Sequence, residues 1–262
     1  MKEIYLCLDV GGTQIKAGAI DEEGNPVGEL LYFPARAKEE REKLLHHFVS
    51  VLEEIRIPGD KTAGVRLAFP GPFDYERGIC LMQGLDKYDR FYKVNLRQEF
   101  AERLGMAPER VRFANDASAY ALGEMGFGQA KGAARALFIC IGTGCGSAFG
   151  VNGVLAQPGT PGVPDNGYIY DRPFLDGCID DHISRRGLLA LTQKQLGTAM
   201  DGKALAERVH MGDRMAKACF LVFGCQVRDA LVPILEGFQP EVLCFGGQIT
   251  RSGHLFLPPV EE

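Results

Sequence analysis

The sequence has no positive excess: 29 Lys and Arg face 34 Asp and Glu, a formal charge of −5. That excludes the electrostatic footprint that binding to DNA or to anionic lipid requires. No segment reads as the roughly 20 apolar residues that cross a bilayer. Residues 4–8, an apolar run before Asp9, are far too short for a signal-peptide core. The chain is therefore expected in the cytoplasm, with no membrane and no nucleic-acid partner. No C-x-x-C pair occurs among the eight cysteines, and most lie in apolar runs such as 137–141 and 242–245. Buried, reduced, structural thiols are expected. No low-complexity stretch or flexible linker interrupts the 262 residues, a length for one large domain or two ordinary ones. Hydrophobic residues at 46% and charged residues at 24% exclude a disordered or collagen-like chain.

Glycine is the one excess, 33 of 262 residues or about 13%, against roughly 7% on average. Glycines serve turns and places where backbone must approach a ligand closely. Their positions organise the chain. Residues 4–8 and 15–20 read as strands joined by Asp9-Val-Gly-Gly-Thr13, with a third strand near 27–33, an antiparallel meander. A helix over about 38–57 buries Leu44, Leu45, Phe48, Val51, Leu52 and Ile55 at 3.6 spacing, and Pro58-Gly59 stops it. Residues 65–69 read as a buried strand, Asn95 as a helix cap, and 112–114 as a strand before a small-residue helix over 117–124.

A second strand–turn–strand follows over 136–151 around Gly142-Thr-Gly-Cys-Gly146, about 130 residues after the first. The return of this order predicts a duplicated α/β fold, with lobes over 1–115 and 116–262 that meet across a ligand-binding cleft. Residues 158–181 read as loop, 182–196 and 213–237 as helices, and 241–245 as the last strand.

Asp9-Val-Gly-Gly-Thr-Gln-Ile-Lys16 is the most informative string. A glycine pair between strands turns backbone N–H groups toward an anion. Thr13 adds a hydroxyl, Lys16 a positive charge, and Asp9 a carboxylate that suits Mg²⁺ held through its waters. The string also serves as an ordinary Gly-Gly hairpin, with Lys16 snorkelling at a strand edge. It matches neither the P-loop nor the G-x-G-x-x-G pattern. Gly142 to Gly146 is a second loop of the same chemistry, placed to hold phosphates from the other lobe, and Gly246-Gly247 is a third close-approach turn that suits an adenosine.

These strings, with F-P-G-P at 69–72, N-D-A-S-A-Y-A-L-G-E at 115–124 and C-F-G-G-Q-I at 244–249, resemble the ROK group (repressor, open reading frame, kinase) of sugar kinases. The resemblance implies the two-lobed actin-like ATPase fold and ATP-dependent phosphorylation of a sugar, with ATP and Mg²⁺ bound. It puts the phosphate-1 motif on Asp9, Gly11, Gly12, Thr13 and Lys16, and the phosphate-2 motif on Gly142, Thr143, Gly144 and Gly146. The adenosine motif falls on Gly246 and Gly247, the general base on Asp116, and sugar contacts on Gly71, Asn115, Asp116, Asp165 and Asp180. Asp116 also reads as a plain N-cap, and Asn115 as a turn residue.

Departures from the family pattern matter as much. Asp165 and Asp180 stand where the family has Glu, Tyr168 replaces a zinc-binding His, and only Cys178 of the zinc ligands remains. No zinc is expected, since such a site needs three or four ligands. The sugar-side Asn is absent from 82–88, where Gln83 or Lys87 is the candidate replacement. The sequence ends about a dozen residues after Gln248, so part of the family's nucleotide wall is expected to be missing. A relative that binds without efficient catalysis is the alternative. A ROK repressor is disfavoured because the sequence opens directly in a strand, without a helix-turn-helix. The apolar excess over 213–237, at Met215, Ala218, Cys219, Val222, Phe223, Leu231 and Ile234, predicts a homodimer.

Overall fold

The computed structural model describes residues 2–261. Met1 and Glu262, the outermost residues of the two expected lobes, lie outside the described residues. The chain divides into two compact units, Met1–Ala119 and Tyr120–Glu262.

In the first unit β1 (Glu3–Val10), β2 (Gln14–Ile20) and β3 (Pro26–Pro34) form the expected antiparallel meander. Ile4, Leu6, Leu8 and Val10 alternate inward along β1, the period of a strand with one face on the core. Helix α1 (Arg41–Glu54) is shorter at both ends than expected, because Glu40 is extended and Ile55 already caps the C-terminus. Then come β4 (Lys61–Ala68), β5 (Phe73–Asp74), β6 (Ile79–Cys80), α2 (Leu96–Leu104) and β7 (Val111–Ala114). Asn95 caps α2 as expected, accepting the Gln98 N–H at 3.1 Å. The sheet runs β3-β2-β1-β4-β7, with β1, β4 and β7 parallel. Phe48, Phe69, Tyr88, Phe91 and Phe100 fill the space between the sheet and its helices. Helix α3 (Asp116–Phe127) carries the chain into the second unit.

The second unit repeats the plan with β8 (Arg135–Ile141), β9 (Cys145–Val151) and β10 (Val154–Leu155). The segment over 158–181, expected to be loop, folds a small hairpin of β11 (Pro173–Phe174) and β12 (Gly177–Cys178). The helix expected over 182–196 is two: α4 (Ile179–His182) and α5 (Arg185–Leu196). Ser184 separates them, because its extended backbone and its hydroxyl, which accepts the Gly187 N–H at 3.3 Å, start a new helix. Helix α6 (Gly202–His210) had no counterpart among the expected elements, and only Leu205 of it is buried. Then follow α7 (Arg214–Phe238), β13 (Val242–Gly246), α8 (Gly253–Phe256) and α9 (Pro258–Glu261). The sheet order is β10-β9-β8-β13, with β13 parallel to β8. In the first unit a further strand, β7, lies beyond β4; here β13 is the edge, and a cavity of about 520 Å³ runs along it past Tyr120, Phe245 and Leu257.

Two expectations about long apolar segments meet α7. By length and composition alone this helix is apolar enough to cross a membrane, which corrects the reading that no segment is. Its apolarity has a local cause: Cys219, Phe220, Phe223, Val227 and Leu231 are buried in the core of the second unit. Of the residues read as excess, Met215 and Val222 are exposed, at 56% and 36%. All eight cysteines are free thiols, and four of them, Cys80, Cys145, Cys219 and Cys244, are buried.

Candidate active site

The β1–β2 turn is closed by the Gly11 N–H, which donates to the Gln14 carbonyl at 2.9 Å. A Cβ on Gly11 would sit 2.9 Å from that same oxygen, so the tight closure needs glycine. Gly12 and Thr13 are exposed at the tip. Asp9 and Lys16 are register partners across β1 and β2, and Lys16 Nζ donates to Asp9 Oδ2 at 2.7 Å. Both side chains are about half exposed, so the pair adds at most about 1 kcal/mol and matters for where the charges stand. Beneath the turn, the buried Tyr88 donates its hydroxyl to the Gly11 carbonyl at 2.8 Å.

Asn115 and Asp116 lie where β7 hands over to α3. The cap is Asn115 and not Asp116, a correction to the sequence reading. Asn115 Oδ1 accepts the N–H groups of Ala117 at 3.0 Å and Ser118 at 3.4 Å. Asp116 is the first helical residue, with Oδ1 2.9 Å from the Ala117 nitrogen. Asn115 Nδ2 donates to the Tyr75 hydroxyl at 3.3 Å, and that hydroxyl donates to the Phe69 carbonyl at 3.0 Å. Gly71 completes the group, since a Cβ there would lie 3.3 Å from Tyr75 Oη. Gly71, Tyr75 and Asn115 thus form one connected set beside Asp116.

Asp116 reaches solvent, yet protein crowds its carboxyl. That desolvation raises its pKa above the usual carboxylate value; the Ala117 N–H opposes the rise, the negative charge of Asp9 adds to it, and the positive charge of Lys87 opposes it. A carboxylate tuned upward in this way is a better proton acceptor than a free one, and such tuning marks functional positions.

In the second unit the β8–β9 turn is Gly142-Thr143-Gly144, with Gly146 already inside β9. Its Gly142 N–H donates to the Gly144 carbonyl at 2.9 Å, and the Arg185 N–H donates to the Gly142 carbonyl at 2.8 Å. Asp180 accepts the Cys145 N–H on Oδ1 at 2.5 Å and pairs with Arg186 through Oδ2. A Cβ on Gly144 would stand 2.7 Å from Asp180 Oδ1, which explains the glycine. The segment around α4 therefore braces this turn. Asp165 is exposed in a turn and makes no such contact. Gly246 ends β13, where a Cβ would press on the Tyr120 ring at 2.9 Å. Gly247 has a φ of +97°, and a Cβ there would run into the Ile141 carbonyl, so no other residue fits. Cys178 donates its thiol to Asp181 Oδ2 at 3.1 Å. Among the described residues no group of three or more His, Cys, Asp or Glu side chains is arranged around a metal site.

The model of the ROK family matches residues 5–262. The chain belongs to the ROK family. It is 27% identical to a glucokinase of Thermotoga maritima over 280 residues, covering 97% of this chain and 85% of that protein. An N-acetyl-D-glucosamine kinase of Haemophilus influenzae is 25% identical over 281 residues, covering 98% and 90%. Among solved structures, a ROK family glucokinase from Streptomyces griseus in complex with glucose and AMPPNP superposes with a TM-score of 0.76, at 22% identity over 98% of this chain and 87% of that one. This ROK chain has the α/β fold of the actin-like ATPases, with their two similar units.

Three supporting residues, two in the first unit and one in the second, escaped the sequence reading. Tyr75 supports Asn115, Tyr88 supports the first turn, and Arg186 holds Asp180. Tyr75 left a trace in its closeness to the F-P-G-P string, and Tyr88 in closing the 82–88 segment.

Proposed function

We propose that the protein is an ATP-dependent sugar kinase that moves the γ-phosphoryl group to a sugar hydroxyl, with Asp116 as general base. The observation that carries this reading is the Asp116 carboxylate, held at the start of α3 beside the Asn115–Tyr75–Gly71 set and within electrostatic range of Asp9 and Lys87. Kinase names among the relatives of this ROK chain support it.

In the first unit the sugar contacts Asn115, Asp116 and Gly71, and the turn at Gly11, Gly12 and Thr13 receives phosphate. In the second unit Gly142, Thr143, Gly144 and Gly146 receive phosphate, and Gly246 and Gly247 the adenosine. Asp165 and Asp180 are the further carboxylates assigned to the sugar. Asp116 Oδ2 takes the hydroxyl proton as the sugar oxygen bonds to the γ-phosphorus, and the bond from that phosphorus to the bridging oxygen breaks to release ADP. Asp9, an exposed oxygen donor, suits Mg²⁺ held through its waters; when bound, the ion neutralises phosphate charge.

The same reading makes the protein cytoplasmic and a homodimer, the second supported by exposed Met215 and Val222 on α7. A relative that binds without efficient turnover is the second reading, favoured by Asp180, whose two oxygens are already taken by Cys145 and Arg186. A panel of monosaccharides with ATP and Mg²⁺, read by coupled ADP detection, decides between them. Sugar-dependent ADP release supports the kinase; sugar or nucleotide binding with no release supports the second reading.

A further inference from the structure

Lys87 stands at the first site. Among the described residues no hydrogen bond or ion pair engages its ammonium, whereas Lys16 is already held by Asp9. Its neighbours on both sides are fixed. Asp86, at φ +58°, pairs with Lys38 and donates its N–H to Asp89 at 3.1 Å. Tyr88, at φ +55°, is fully buried, donates its N–H to the Ala37 carbonyl at 2.7 Å and its hydroxyl to Gly11.

Between these two anchors the Lys87 stem is carried over the phosphate turn. Its Cδ lies 3.5 Å from where a Cβ on Gly12 would stand. Its charge is felt at Asp116, which it stabilises in the ionised form. The Lys87 stem therefore packs over the exposed glycine of the turn, and its charge acts at the base. A neutral sugar hydroxyl has little use for a full positive charge, while a terminal phosphoryl group has much, and lysine binds phosphate as a point charge.

We propose that Lys87 contacts the γ-phosphoryl group of ATP above Gly12 and steadies it as the sugar oxygen attacks. This rests on the kinase reading. It assigns Lys87 to the phosphoryl group in preference to the sugar, although Lys87 falls in the segment where the family's sugar-side Asn is missing. The charge that develops on the transferred group in the transition state is what such a cation stabilises.

The test compares AMPPNP and ADP, which differ at the terminal phosphoryl group, by calorimetry on the wild type, Lys87→Ala and Lys87→Arg. AMPPNP affinity is expected to fall tenfold or more in Lys87→Ala, with ADP affinity within twofold and Lys87→Arg close to wild type. Turnover of the best sugar should fall 10- to 100-fold with its KM unchanged. Equal losses for both nucleotides, or an unchanged AMPPNP affinity, would overturn the assignment. A raised sugar KM with unaltered AMPPNP binding would move Lys87 to the sugar and overturn it too. A wild type that binds neither nucleotide would overturn the kinase reading itself, and with it this inference.

Discussion

Tyr88 donates its buried hydroxyl to the carbonyl of Gly11 at 2.8 Å, a bond that spans 77 residues of chain. Burial pushes the phenol pKa up, so the group remains a donor at neutral pH. The bond ties the 85–89 loop to the β1–β2 turn, which makes Tyr88 a support for both.

Tyr88→Phe keeps the ring in its aromatic cluster and removes only this donor. The lost bond should cost about 1 kcal/mol, a melting-point decrease of roughly 2–4 °C for a protein of this size. The KM for ATP should rise as the turn loosens, and the KM for sugar should change less. A variant with wild-type melting and wild-type ATP KM would show that the turn needs no support from below.

Asn115 has two uses that separate by substitution. Asn115→Ala loses the cap of α3 and should cost roughly 0.5–2 kcal/mol. Asn115→Asp keeps an oxygen for Ala117 and Ser118, so thermal stability should survive, but it cannot donate to Tyr75 and places a second carboxylate beside Asp116. Sugar KM should therefore rise in both variants, whereas stability falls in only one. Equal sugar KM in wild type and Asn115→Asp would remove Asn115 from the sugar site.

The raised pKa of Asp116 sets the direction of the pH dependence. A base must be ionised, so kcat/KM should fall as pH drops through a value above the ordinary carboxylate range of about 3.9. The stability sign is opposite. A group whose pKa is raised by folding stabilises most below its unfolded pKa, and that contribution is lost as pH rises through the folded value. Ionised Asp116 thus weakens the fold at neutral pH, and Asp116→Asn should melt higher than wild type at pH 7, with the gap closing toward pH 4. Melting curves that coincide at pH 7, with a rate profile flat down to pH 4, would contradict the desolvated site.

Exposed Met215 and Val222 on α7 set the expectation for assembly. Light scattering at micromolar concentration should give twice the 28.6 kDa of one chain. A charge placed at either position should return the protein to one copy without loss of melting temperature. A wild-type mass of one chain would remove the homodimer.

The main elements of both units could be read from period and punctuation. Alternating burial over 4–20, the 3.6 spacing of Leu44 to Leu52 and the glycine turns after β1, β8 and β13 are local signals. What escaped was of three kinds. The β5–β6 and β11–β12 hairpins have two residues per strand, too few for any pattern. Helix α6 spans nine residues and fully buries only Leu205, with Ala206 and Val209 partly covered beside it, so its apolar face is too short to stand out as a periodic run. The contacts Tyr88 to Gly11 and Asp180 to Cys145 join distant segments, and spacing along a chain does not say which surfaces meet. The cap of α3 is subtler. Asn and Asp are equally good caps, so only the hydrogen bonds to Asn115 Oδ1 and the helix start at Asp116 assign the role to Asn115.

That assignment sharpens the test of the central claim, because Asn115 caps α3 and the one helix-start bond of Asp116, from the Ala117 N–H, can be kept by an amide oxygen. Asp116→Asn preserves the shape of the side chain and takes away the proton acceptor. With ATP, Mg²⁺ and the best sugar of the panel, turnover should fall by roughly 10²–10⁴. Sugar and AMPPNP affinities should stay within a few fold of wild type, since the loss falls on the transition state. Near-normal turnover in Asp116→Asn would contradict the general-base role and the kinase mechanism built on it.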